Sequence, residues 1–508
     1  MNISDDDYQT TEWAPAASPS DQVVTRWFFL GLLVYFTAHL IFRVLVSSAL
    51  EQDEAEQVLF SQWLRGAYVS SPPLYTWLQM LFFRVFGTTV FSLSLLKNGL
   101  LLSTYVFVFL SARTLLRSTR LAVLASCSLL LIPQISWESQ RDLTHSVLAT
   151  TLSAATLFTV LALLESAQLK SYLGLGLVMG LGMLAKYNYA LFLAAVLLAL
   201  LSCPRGRSLL FSWKFLLTLG VALIFWAPYG YWLASGWNAA TSSVHKLSIV
   251  EHDFILVGTY NLVVAIVSFL APVMLIYLLT FPRGCSRLIR NHPVRAFSFP
   301  LARYFLFLFG LFLIMVLFWR VTFFKDRWMQ PLLFLFPLYF FTHVDEQSLP
   351  EKAARNFIAV VLAVALLILT LIPGRIVLGP TLGYLTDFNS PYQALAETIR
   401  EHGPEPDLII VDWPKNAGNI RFQFPASLVL TPSLGLMQPL ENGPGTTLAV
   451  VWDARESAEI PPKLQAFLRD AVRVRPEELQ ISHVRLPYKY SRDKFAMFGV
   501  GLLSRKNE

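Results

Sequence analysis

The sequence predicts a polytopic α-helical membrane protein that ends in a small soluble α/β unit. Three observations carry that class. Of the 508 residues, 55% are hydrophobic and 14% charged, against a charged share of about 25% in soluble domains, and the mean hydropathy is +0.54. Apolar runs approaching or exceeding the about 20 residues needed to cross a bilayer recur from residue 26 to residue 374. After about residue 375 Pro, Gly and charge rise, and short apolar runs alternate with helical patterns.

Eleven spans are expected, near 26–48, 92–112, 120–136, 143–165, 171–185, 189–203, 213–235, 256–281, 302–319, 328–344 and 356–374. The polar first 25 residues lack a basic segment and a small-residue cleavage site, so the first span reads as a retained anchor behind a cytoplasmic tail. Between the first two spans, residues 53–65 read as an amphipathic helix. Ser71-Pro72-Pro73 then breaks the chain, because a residue before proline avoids the α region. Residues 74–87 start a second helix, too short to span and rich in aromatics, as in helices lying along an interface. In the tail, 408–413 and 446–453 read as buried strands. Residues 390–403 read as a helix with Ser390 as cap, and 461–471 as another. The division is therefore a tail over 1–25, a membrane domain over 26–375 and an outer α/β domain over 376–508.

Basic residues orient the chain. One set of alternate loops holds Arg26; Arg113, Arg117 and Arg120; Lys170; Arg205, Arg207 and Lys214; Arg283, Arg287, Arg290, Arg295 and Arg303; and Lys352 and Arg355. The other set is sparser: Arg65, Arg84, Lys97, Arg141, Lys186, Lys246, Arg320, Lys325 and Arg327. By the positive-inside bias the first set is cytoplasmic. The formal charge of +7 thus needs no nucleic-acid partner and suits a membrane surface. Cys127, Cys203 and Cys285 show no metal spacing and read as packing residues.

The outer loops collect the unusual polar groups: Asp53 and Glu54 in the first, Glu138 to Asp142 in the second, Lys186 with Asn188 in the third, His245, Lys246, His252 and Asp253 in the fourth, and Lys325, Asp326 and Arg327 in the fifth. Taken singly each has a plain reading. Asp142 can be a helix N-cap, Lys186 can snorkel, and the cluster around Arg327 can anchor a helix. His39 lies inside the first span, where an ionisable group is costly, and reads as a packing residue. Taken together, acids and cations at one lipid boundary suit a lipid-borne phosphate substrate. Cations would hold and stabilise a departing phosphate, and a carboxylate would take the proton of an attacking hydroxyl.

"DEAEQVLFSQWLRGAYVSSPPLYTWL", "RDLTHSVL", "GLGMLAKYNYALF" and "KDRWMQPLLFLFPL" together resemble the family 39 type of polytopic glycosyltransferase, which uses polyprenyl-phosphate sugars and includes protein mannosyltransferases and lipid A aminoarabinose transferases. "PPLYTWL" is most similar to the rhizobial lipopolysaccharide galacturonosyltransferase branch. The resemblance covers residues 25–375. It implies a C-type glycosyltransferase fold in the bacterial inner membrane, with the N-terminus cytoplasmic and the C-terminal domain periplasmic. It also implies inverting transfer, on the periplasmic side, to a hydroxyl of lipid A, lipopolysaccharide core or another envelope glycan. Asp53 is then the base, Glu54 its partner and Asp142 the second-loop acid. Lys186, Arg327 and Lys325 are the donor-phosphate ligands, and Tyr75, Trp77, His145, Tyr187 and Asn188 are substrate contacts. No cofactor is implied with certainty, and a divalent metal ion is left open. Ser70 and Ser71 stand where many members carry His, or an acidic residue with Lys, so no role is inherited from that position.

Two rival classes remain. A flippase of lipid-linked sugars needs a midplane site open to both sides, and His39 is the clear mid-span candidate. A non-catalytic envelope assembly protein would work through the tail, which carries no phosphate-loop or dinucleotide motif.

Overall fold

The computed structural model describes residues 18–68, 71–235, 247, 253–294, 299–434, 447–455 and 457–504. Ser70, His245, Lys246, His252 and Arg295 lie outside the described residues, as do residues 1–17. The helices in chain order are α1 (Pro19–Val46), α2 (Gln52–Phe60), α3 (Leu74–Phe86), α4 (Val90–Leu116), α5 (Thr119–Cys127), α6 (His145–Glu165), α7 (Leu169–Met183), α8 (Tyr189–Leu201), α9 (Pro204–Leu210), α10 (Trp213–Ser235), α11 (Phe254–Thr280), α12 (Pro282–Ile289), α13 (Leu301–Trp319), α14 (Gln330–Leu333), α15 (Phe336–Phe341) and α16 (Glu351–Leu378).

Seven of these are long and apolar enough to cross a membrane: α1, α4, α6, α10, α11, α13 and α16. The other four expected spans are broken or short. The run over 120–136 bends by 72° near Pro133, and 189–203 turns by 115° into α9 at Pro204, because proline cannot continue the helical hydrogen bonding. Counting each bent pair as a span gives up to nine. α7 has only 15 residues. The run over 328–344 is cut into α14 and α15, each with Pro (Pro331, Pro337) in its first turn. That broken segment is nonetheless core: Leu333, Phe334, Leu335 and Phe340 are fully buried.

Burial ranks the spans. In α6, 78% of the apolar window is buried, against 22% in α1 and 11% in α10. α6 therefore runs through the centre, and the outer helices keep an apolar face for lipid. α7 packs on α10 at backbone contact, since a Cβ on Gly176 would lie 2.5 Å from the Thr218 carbonyl oxygen and one on Gly180 2.8 Å from that of Ala222. This is the small-xxx-small seam of membrane helices.

The bundle has two chemically different ends. At one, Asp21 lies beside Arg113 and Thr119, Lys214 donates to the Ala167 carbonyl and Arg303 donates to Ser202. α1, of 28 residues, runs about 42 Å from there to the other end. At that other end Arg43 meets α2, and the C-terminal unit sits there too.

That unit comprises α17 (Tyr392–Glu401), β1 (Leu408–Val411), α18 (Pro414–Gln423), β2 (Leu428–Leu430), β3 (Thr447–Asp453), α19 (Pro462–Phe467), β4 (Gln480–Pro487) and β5 (Phe495–Ser504). The sheet order is β2-β1-β3-β5-β4, with β2, β1 and β3 parallel and β5 antiparallel to both β3 and β4. β1 and β3 coincide with the expected strands; the other three are additional. α17 starts at Tyr392 with Pro391 at its N-cap, so Ser390 is not the cap. Alternate residues of β1 face two cores. Leu408 and Ile410 pack with Trp452, Leu464 and Leu468. Ile409 and Val411 pack with Leu395, Ile420 and Phe424, and also with Leu59, Phe60 and Tyr68 of the segment between α1 and α3. α2 is thus a structural helix of the C-terminal unit. A Cβ on Gly418 would sit 2.0 Å from the Ala55 carbonyl oxygen, so α18 lies directly on α2. Asn419 bonds Leu50 in both directions (2.8 and 3.0 Å), and Gln62 does the same for Val429. The amphipathic helix expected over 53–65 ends at Phe60, because its apolar face is claimed by this core.

Candidate active site

α2 opens without a side-chain cap of its own. The missing acceptor comes from the second loop: the Asp53 amide donates to Asp142 Oδ1 (2.8 Å). Asp53 returns the favour at the start of α6, where its Oδ2 accepts from the Thr144 amide (3.1 Å) and hydroxyl (3.3 Å). Two acids cap each other's helices, which fixes both carboxylates relative to the central span. Asp53 is half-buried, and its Oδ1 has no hydrogen-bond partner among the described residues. Asp142 is buried. Its carboxyl is pushed up to about 7, first by burial and then by the charge of Asp53.

Glu54 faces a different side of α2. Its Oε2 lies 2.7 Å from Arg43 and its Oε1 2.9 Å from Lys97, with its side chain 2% exposed. Burial alone would raise this carboxyl, but the two cations outweigh it and hold it at about 2. Arg43 also donates to the Ser47 and Ala49 carbonyls and lies over the Phe388 ring. Glu54 therefore ties α1, α2 and α4 together, and both of its oxygens are occupied. Lys97, grouped by sequence with the outer loops, is a buried residue inside α4. An ionisable residue within an apolar run was the available signal for this triad. Glu51, just ahead of α2, is also buried. Burial, then the charges of Asp387 and Asp142, raise its carboxyl to about 8.

The third loop joins this cluster. His145 Nδ1 lies 3.3 Å from the Ala185 carbonyl and Nε2 3.4 Å from Gln57 Nε2. This assigns the proton to Nδ1 and lets Gln57 donate to Nε2. Gln57 is oriented in turn by Thr76, which donates to its Oε1 (2.7 Å). Tyr75 is fully buried, with its ring 5.6 Å from that of His145. Lys186 Nζ donates to Ser146 Oγ (2.6 Å), which places the ammonium at the first turn of α6. The Tyr187 hydroxyl meets that of Tyr229 (2.8 Å). Trp77 donates to the Arg65 carbonyl (2.9 Å), bracing the first loop.

The fifth loop is stitched to the second and third. Gln134 donates to Asp326 Oδ2 (2.8 Å), Asn188 to the Trp328 carbonyl (2.8 Å) and Gln330 to Ser139 Oγ (3.1 Å). Lys325 lies over the Phe323 ring. The half-buried Arg327 side chain has no hydrogen-bond or ion-pair partner among the described residues. The structure thus gathers Asp53, Asp142, Tyr75, His145 and Lys186 directly, and brings Asn188, Lys325 and Arg327 to the same end through Gln134 and Trp328. Sequence reasoning did not single out Glu51, Gln57, Thr144 or Gln134 as parts of the site. Among the described residues no group of three His, Cys, Asp or Glu side chains is arranged to hold a metal ion.

Comparison with known proteins follows this geometry. Residues 70–232 match the family model for dolichyl-phosphate-mannose-protein mannosyltransferase. The lipopolysaccharide core galacturonosyltransferase RgtB of Rhizobium johnstonii is 31% identical over 474 residues, covering 92% of this chain and 95% of RgtB. RgtA of the same organism is 30% identical over 484 residues, with the same coverage of 92% and 95%. The crystal structure of ArnT from Cupriavidus metallidurans bound to undecaprenyl phosphate shares the fold, at a TM-score of 0.57 and 12% identity, over 94% of this chain and 98% of that one. Its apo form does so at a TM-score of 0.54 and 13% identity, over 96% and 98%. The chain belongs to the family 39-like membrane glycosyltransferases that act with lipid-linked sugars, and within them to the group that contains RgtA and RgtB.

Proposed function

We propose that the protein transfers a galacturonosyl residue, with inversion, from a polyprenyl-phosphate donor to a hydroxyl of the lipopolysaccharide core or lipid A. The site faces the periplasm from the inner membrane. The observation that carries this reading is Asp53: a half-buried carboxylate at a helix start, with Oδ2 fixed by Thr144 and Oδ1 open. A base must be positioned before it is tuned, and this is the one acid of the first loop so arranged. In the step, Oδ1 takes the proton of the acceptor hydroxyl as its oxygen bonds to the anomeric carbon. The bond from that carbon to the phosphate oxygen breaks, and polyprenyl phosphate leaves carrying the electron pair. Lys186, Lys325 and Arg327 balance its charge. The choice of sugar and acceptor follows RgtA and RgtB, and the bilayer presents the donor, so no cytosolic nucleotide is needed.

The reading is tested with protein in nanodiscs, polyprenyl-phosphate galacturonic acid and a core acceptor, with the product identified by mass spectrometry. Asp53→Asn should lower kcat by about 10²–10⁴-fold, the usual contribution of a general base, with its thermal transition unchanged. Wild-type turnover in Asp53→Asn would remove Asp53 from the mechanism. Orientation is tested by labelling with a membrane-impermeant maleimide. Arg492→Cys, on the exposed surface of the C-terminal unit, should label in intact spheroplasts, and Arg205→Cys, exposed at the opposite end, only after permeabilisation. The reverse pattern would invert the assignment. The native thiols of Cys203 and Cys285 are buried and that of Cys127 is half-buried, which keeps background low.

A further inference from the structure

A cavity of about 420 Å³ lies between the start of α2 and the C-terminal sheet. This is within the size range of ligand pockets. Gln52 contributes one wall, so the cavity begins one residue before Asp53. The other walls come from Asp387 and from residues just past the carboxyl ends of β1 and β3: Trp413 and Lys415 after β1, and Asp453 and Arg455 at β3. From β1 the chain crosses to β2 on one side, whereas β3 is followed by strands on the other side. The cavity therefore sits at the switch point of the sheet, where open α/β folds bind ligands.

Its chemistry is specific. Each cation is matched by a carboxylate: Lys415 Nζ lies 2.8 Å from Asp387. Arg455 forks onto Asp453 through Nε (3.0 Å) and a terminal nitrogen (2.5 Å) and reaches the Tyr488 hydroxyl (3.2 Å). Because the charges cancel within the walls, the cavity is not built for a phosphate or another free anion. It offers donors and acceptors side by side, which suits a ligand whose hydroxyls both give and accept hydrogen bonds. Trp413 lies on the wall with 63% of its surface exposed, and its indole is a flat apolar platform for a ring with a C–H face.

We infer that this crevice is a subsite for an uncharged, hydroxyl-rich saccharide of the acceptor glycan. That saccharide stacks on Trp413 and bonds across the Asp453–Arg455 and Asp387–Lys415 pairs while a neighbouring sugar presents its hydroxyl to Asp53. The inference rests on the transferase reading above and adds where the acceptor is gripped. The subsite sets acceptor choice and takes no part in bond making.

The test uses full-length protein in nanodiscs. Trp413→Ala and Arg455→Ala should raise the KM for the core acceptor roughly ten-fold or more, about what one aromatic contact is worth. The donor KM, kcat at saturating acceptor and the thermal transition should stay near wild type, and Trp413→Phe should restore most of the loss. Saturation-transfer NMR with lipid-free core oligosaccharide should show contact with wild type and lose it in Trp413→Ala. An unchanged acceptor KM in both alanine variants overturns the inference, and so does displacement of the oligosaccharide by millimolar inorganic phosphate, which would mark an anion site. If wild type binds the oligosaccharide through Trp413 but transfers no sugar, the crevice stands and the transferase reading falls.

Discussion

At the scale of single residues the end of the bundle that carries the C-terminal unit is a graded set of carboxyls whose surroundings give them different work. Glu54 is neutralised by Arg43 and Lys97, and Asp142 and Asp53 cap one another. Glu51 is buried near Asp387 and Asp142, whose charges together with burial outweigh the opposing charge of Arg141. Its folded value of about 8 lies above the ordinary 4.5, so the unfolded chain loses this proton first. Stability from Glu51 is therefore full below about pH 4.5 and declines as pH rises through about 8. Glu51→Gln keeps the shape and a donor toward Asp387 but cannot ionise. Its thermal transition, measured against wild type, should match at pH 5 and lie several degrees higher at pH 8.5. A difference independent of pH would show that Glu51 is not protonated in the folded protein. Asp53, Glu54 and Asp142 were legible in the sequence, since charged groups beside apolar runs stand out, whereas Glu51 was not singled out. The division of labour among these acids was not legible, because it depends on partners such as Lys97 and Asp387 that lie 43 and 336 residues away in sequence from the acids they touch.

At the scale of elements, helix starts organise the site. Asp142, just ahead of α6, caps the start of α2, Asp53 of α2 accepts from Thr144 at the start of α6, and the adjacent glutamate locks α2 to α1 and α4. Asp53 and Glu54 are neighbours in sequence, but successive helical positions point about 100° apart, which is why one lies open and the other sealed. Substitution should separate them. Glu54→Gln leaves the buried Lys97 and the half-buried Arg43 with one neutral oxygen between them, and breaking such a buried pair costs about 3–5 kcal/mol. It should lower the unfolding temperature and the yield of detergent-extracted protein, whereas Asp53→Asn should lower turnover alone. Normal stability in Glu54→Gln would mean that the triad is solvated and that Glu54 is available to substrate. Helix boundaries followed the sequence where apolar runs were long. They failed at Pro133, Pro331 and Pro337, where a continuous hydrophobic run hides a break in backbone direction and tertiary burial decides what the pieces do.

At the scale of the whole molecule, the membrane bundle and the C-terminal unit are joined through α2, which serves both. Two sides of α2 carry Asp53 to the second loop and Glu54 to α1 and α4. Another supplies Leu59 and Phe60 to the core under the sheet. No local pattern could announce this, because the amphipathic face of α2 looks the same whether it meets lipid or a domain several hundred residues later. The arrangement makes the position of the base depend on docking of the tail. Gly418 is the sensitive point: a side chain there would meet the Ala55 carbonyl oxygen at 2.0 Å and its carbon at 2.4 Å, both backbone atoms that cannot rotate away. Gly418→Val should therefore push α18 off α2. Turnover should fall at least ten-fold, although Gly418 touches no reacting group, because a base displaced by about 1 Å can cost 10²-fold. Hydrogen exchange should rise over residues 52–60 and stay unchanged in α6 and α13. Wild-type turnover with unaltered exchange at α2 would mean that the tail is a passenger and that the bundle alone sets the geometry of Asp53.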